Sequence, residues 1–117
     1  MNKNERMLCW GYGAIAMIAL VATWSNNIAF AMETGSLSLI PFVEALYVNH
    51  AAASIANDIL LLCVSAFIFM VHEARRVGVR HVWVYILLSG MIAIAVMFPV
   101  FLIARQKAIA ARRGRDA

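Results

Sequence analysis

Charge is scarce in this chain. Only 14% of its residues are Asp, Glu, Lys or Arg, against 64% that are hydrophobic. So little polar surface could not clothe a soluble core in a chain of 117 residues. Cysteine is almost missing too: Cys9 and Cys63 both stand in apolar runs, where a thiol behaves as a small hydrophobe, and neither a disulfide nor a metal site is expected. No Gly-rich phosphate loop, zinc-ligand spacing, nucleophile elbow or internal repeat occurs. Catalysis at a membrane site would need a nucleophile or an acid-base pair at one depth, and the chain has a single carboxylate there. No catalytic residue, cofactor or nucleic-acid partner is therefore assigned.

Long hydrophobic runs fill what remains. About 20 apolar residues at a rise of 1.5 Å cover roughly 30 Å of hydrocarbon, and three stretches meet that length: 7–32, 51–71 and 82–104. Backbone polar groups in lipid must be paired within the segment, so all three are expected to be helices, including the β-branched cluster at Val82, Val84 and Ile86. The expected fold is an all-α integral membrane protein of one domain. The first stretch also fits a secretory signal, with Lys3 and Arg6 before an apolar core and Ala29-Phe30-Ala31 as small-x-small; the bulky Trp24, Ser25, Asn26 and Asn27 favour a retained helix.

Between the first two stretches, Leu39, Phe42, Val43, Leu46 and Tyr47 recur at helical spacing, which predicts a short amphipathic helix over 38–48. It is expected to lie in the membrane interface or to close over the ends of the other helices, with Ser36 or Ser38 as its cap and Pro41 in its first turn. The tail, 105–117, rich in Arg and Ala, reads as a frayed continuation of the third helix in solution or against anionic lipid.

Three crossings would put Lys3, Arg6, Arg75, Arg76 and Arg80 on one side and Arg105, Lys107, Arg112, Arg113 and Arg115 on the other, a tie of five each. The short-loop arginines tip the expectation towards the N-terminus inside and the tail outside. Insertion both ways, with antiparallel pairing, is the alternative.

Asp58 lies in the middle of the second run, where a carboxylate is costly. Ser54, Asp58, Ser65 and His72 are spaced so that all four fall within a strip roughly 40° wide, a polar line expected to face protein or trapped water. Antiparallel packing brings Asn26, Asn27 and Pro99 to the same layer, with Asn57 beside Asp58. That layer is either a hydrated pocket, in which Asp58 binds a proton, a cation or a polar head group, or a set of hydrogen bonds that pins the helices together. His72 with Glu73, Arg75 and Arg76 is expected to be a solvated helix end at the membrane face, with Glu73 and Arg76 paired at i, i+3.

Asn49, Ala52, Ala53, Ser54 and Asp58 entering the second helix, and Glu73, Arg75, Arg76 and Gly78 closing it, carry a resemblance. Trp83 and the ending Pro99, Phe101, Leu102, Arg105 extend it. In these residues the chain resembles DUF2834, a family of uncharacterised small bacterial membrane proteins, over about Trp24 to Arg105; the basic tail departs from it. The resemblance implies a compact three-helix bacterial membrane protein and no established activity, and the expected location is the bacterial cytoplasmic membrane. The expected role is an accessory or structural subunit that meets the lipid bilayer and a second copy or a larger membrane complex. A small-solute or proton-coupled carrier using Asp58 is the alternative, and a holin-like pore former a minor one.

Overall fold

The computed structural model describes residues 2–35 and 39–116. The order is α1 (Lys3–Thr34), α2 (Leu39–Leu46), α3 (His50–Val77), α4 (Val82–Met91) and α5 (Ile94–Asp116), and no strand occurs among the described residues. The protein is all-α. Three of its helices, α1, α3 and α5, are long and apolar enough to cross a membrane, with the short α2 between the first two. The expected caps at Ser36 and Ser38 lie outside the described residues.

Local chemistry explains the helix ends. The side chain of Asn2 accepts from the Glu5 amide while Glu5 reaches back to the Asn2 amide, closing the first turn of α1. Asn49 accepts from the Ala52 amide and starts α3. Gly78, at φ 86°, ends α3 in the left-handed conformation that costs glycine little, and its N–H returns to the Ala74 carbonyl.

The stretch expected as one helix over 82–104 is two helices. They part at Ile92 and Ala93, between Gly90 and Pro99, and α4 lies back along α5. Val82 and Tyr85 pack on Phe101, with the Tyr85 and Phe101 ring centres 5.9 Å apart. Leu88 packs beside Val96 and Met97. The pair is a helical hairpin.

This hairpin sits between α1 and α3. Its α5 arm runs antiparallel to α1: Glu5 meets Arg113 at 2.6 Å, Gly13 faces Ile103, Ala16 packs with Val96 and Met97, and at the break before that arm the Trp24 Nε1–H donates to the Ile92 carbonyl at 3.0 Å. Against α3 the same arm runs parallel, from Phe69 beside Phe98 and Phe101 to Arg105 beside Glu73 and Arg112 on the Arg76 carbonyl. The C-terminal half of α5 therefore returns to the end that holds the start of α1 and the finish of α3.

All ten Lys and Arg residues belong to segments at this one end. The five-to-five tie is thus corrected: it assumed that the 82–104 stretch crossed once, whereas the hairpin brings the tail back. At the opposite end stand Glu33 and Glu44, with no Lys or Arg.

Side chains divide as lipid-soluble proteins require. Among the described residues only Phe101 and Met70 are large and fully buried, in a cluster with Ala74 and Val82, while Trp10, Ile18, Val21, Leu61, Ile68, Trp83 and Leu87 are among the apolar residues left on the outside.

Candidate functional site

The ten-residue α4 rises only about 15 Å before the chain turns back. Above its tip, α1 and α3 have nothing from the hairpin between them. The gap is a half-open chamber of about 500 Å³, walled by Thr23, Trp24, Asn27 and Phe30 of α1, by Ile59, Leu60 and Cys63 of α3, and by Phe42 of α2; the turn from Ser89 to Ala95 forms its floor. Phe42 meets the Phe30 ring edge-on at 5.6 Å, and Tyr47, just past α2, donates its hydroxyl to Asn57 Oδ1 at 3.0 Å. Together they tie α2 to both long helices.

Interrupted backbone at membrane depth is stable only where protein or a polar cavity satisfies it. Here the Trp24 indole occupies the Ile92 carbonyl, and the Ile92 amide donates to Leu88 at 2.7 Å. The first-turn amides of Ile94 and Ala95 have no acceptor within α5. Thr23 and Ser89 spend their hydroxyls on the Ala19 and Tyr85 carbonyls. Asn27 differs: its half-buried amide lines the chamber and is hydrogen-bonded to no other described residue. Among the described residues no Asp, Glu, His, Lys or Arg lines this space, so its chemistry is neutral hydrogen bonding on apolar walls.

Of the residues expected in the mid-membrane layer, only Asn27 reaches the chamber. Asn26 donates to the Ala22 carbonyl of its own helix at 2.8 Å, and Asn57 is taken by Tyr47. Ser54, Asp58, Ser65 and His72 are exposed. They do form one line on α3, but the buried side of that helix carries Ala56, Ala66, Met70, Glu73, Ala74 and Val77, roughly 140° away at 100° per residue. Within the single chain the strip faces no enclosed pocket among the described residues, though His72 borders an open groove shared with Trp83 and Ile86 of α4.

Glu73 departs furthest from the expected solvated helix end. It is 5% exposed, accepts from Arg76 Nε at 2.8 Å, and has Arg105 Nε at 3.4 Å in an ion pair whose angle makes no hydrogen bond. The Arg105 guanidinium also lies over the Phe69 ring, 6.0 Å from its centre. Arg105 of α5 thus stands beside a carboxylate whose side chain is 7% exposed. His72 and Arg75 remain exposed at the same end, as does Arg76. Sequence reading passed over Trp24, Tyr47, Arg105 and Arg113 as partners, and the signal available was weak: a hydrogen-bonding aromatic before each polar pair, and arginines whose partners lie on distant helices.

Among curated proteins and among solved structures, nothing matches the chain. The family model that does match describes a protein of unknown function, DUF2834, and covers residues 12–107. It takes in α3, α4 and most of α1, and stops before the last arginines of α5, so the chain with this hairpin, chamber and buried Glu73 belongs to the DUF2834 family.

Proposed function

We propose that this protein is an accessory subunit of the bacterial cytoplasmic membrane, a small helical partner that packs against another membrane protein through the outward strip of α3. One observation carries the reading: Ser54, Asp58, Ser65 and His72 are exposed on the single chain, on the side of α3 turned from its own bundle. A carboxyl group facing acyl chains is expensive, and a neighbouring protein that hydrogen-bonds it removes the cost. The small Ala51 and Ser54 let a second helix come close. Basic residues gathered at one end support placing that end in the cytoplasm, with the hairpin entering and leaving the membrane from that side.

The test compares full-length protein with Asp58→Asn and Asp58→Leu, extracted in mild detergent and sized on native gels. Wild type is expected in an assembly larger than one chain. Asp58→Leu releases a single chain whose helical content is unchanged. A wild-type chain that is solitary both in its membrane and in detergent would sink the reading.

A second reading has its own support in the chamber, which has room for a small neutral solute. It would use Asn27 instead of Asp58, so Asn27→Leu, and not Asp58→Asn, would remove binding.

A further inference from the structure

A different feature at the basic end carries an inference about lipid. Four of the ten cations there are committed. Arg113 pairs with Glu5, Arg76 and Arg105 share Glu73, and Arg112 donates to the Arg76 carbonyl. Arg6 and Lys107 are exposed, and neither side chain is hydrogen-bonded or ion-paired with any described residue. Both stand at the mouth of one groove between α1 and α5, of about 580 Å³.

From these two cations the groove runs inward along α1. Arg6, Trp10, Gly13 and Met17 follow one another at helical spacing on a single face, and Ile103 of α5 forms the facing wall. Trp10 is 80% exposed and sits one turn inside the cations, the level at which an indole favours the boundary between head groups and hydrocarbon. Gly13 makes the trough deep: a side-chain carbon there would already touch Ile103 Cδ1 at 3.9 Å. The groove therefore has a cationic mouth, an aromatic collar and an apolar trough in that order. Among the described residues no carboxylate lines it.

We infer that this groove binds one anionic glycerophospholipid, its phosphate between Arg6 and Lys107 and an acyl chain along Trp10, Gly13 and Met17. The polarity of the groove matches such a molecule from head to tail. A zwitterionic phosphocholine brings its own trimethylammonium against two cations and fits less well, whereas a phosphatidylglycerol head adds no positive charge. Each cation near a membrane surface strengthens attraction to anionic lipid roughly fivefold. The inference needs only the membrane setting and is independent of what covers Asp58.

Brominated acyl chains report the contact directly, because bromine quenches a neighbouring indole. Full-length protein with Trp24→Phe and Trp83→Phe, leaving Trp10, is placed in phosphatidylcholine vesicles doped with dibrominated phosphatidylglycerol or dibrominated phosphatidylcholine at equal fractions. Quenching several-fold stronger by the brominated phosphatidylglycerol is expected, and Arg6→Gln with Lys107→Gln should level the two. Native mass spectrometry of the chain with all three tryptophans gives a second reading, in which retained phosphatidylglycerol falls in the Arg6→Gln, Lys107→Gln variant. Equal quenching by both lipids, an undiminished preference in the double variant, or displacement by millimolar inorganic phosphate would each overturn the assignment, the last by making it a phosphate site.

Discussion

The indole Nε1–H of Trp24 donates to the carbonyl oxygen of Ile92 at 3.0 Å, joining the middle of α1 to the break between α4 and α5. A carbonyl freed by a helix break has no water to turn to at this depth, so the bond offsets part of the cost of ending α4 inside the bundle.

Replacing Trp24 with Phe keeps the ring and removes the donor. The expected loss is about 1 kcal/mol, the scale of a hydrogen bond between membrane helices. Reversible unfolding in mixed micelles measures it against Trp83→Phe, whose parent side chain is 66% exposed and should cost nothing measurable. Equal stability of the two variants would mean that the tip stands without its anchor.

Direction of the chain offers a sharper check. With Cys9 and Cys63 replaced by Ala, single cysteines at Arg80 and at Ala111 should react with a membrane-impermeant maleimide from the same side, and one at Glu44 from the other. Labelling of positions 80 and 111 from opposite sides would replace the hairpin with a single crossing and restore the balanced charge count.

How far the sequence revealed this arrangement depends on the range of the forces involved. The runs that became α1 and α3 are legible because hydropathy over 20 residues is a local property, and Asn49 and Gly78 mark the ends of α3 by local capping. The stretch 82–104 reads as unbroken because Gly90 and Pro99 are both tolerated in membrane helices. What divides it is long-range: Tyr85 on Phe101 and Trp24 on Ile92. Helical spacing likewise put Ser54, Asp58, Ser65 and His72 on one line, yet spacing alone does not say which side of α3 the bundle takes. Met70, Ala74 and their contacts with Phe101 decide that.

Burial of Glu73 makes its two arginines unequal. The Arg76 side chain is 58% exposed and can rehydrate, whereas that of Arg105 is 26% exposed and lies against Phe69. Glu73→Gln should cost about 2 kcal/mol, as expected for a hydrogen-bonded charge taken from its partners. Arg105→Gln should approach that value, and Arg76→Gln should stay below about 1 kcal/mol because exposed pairs are screened. A double-mutant cycle on Glu73 and Arg105 is the measurement, and zero coupling would show the cluster to be incidental.

Two substitutions of similar size separate the chamber from the true core. Cys63 is half-buried and borders the open volume, so Cys63→Phe places its ring in space already present and should change stability by less than about 1 kcal/mol. Ala16 is 6% exposed and packed against Val96 and Met97, where a ring has nowhere to go without parting α1 from α5. Ala16→Phe should cost about 3 kcal/mol, the upper end for overpacking. The difference tests the hairpin's length as much as the cavity, since a longer α4 would have filled the gap beside Cys63. Equal penalties at both positions would mean that α1 and α3 close over the tip and that the chamber is absent from the folded protein in lipid.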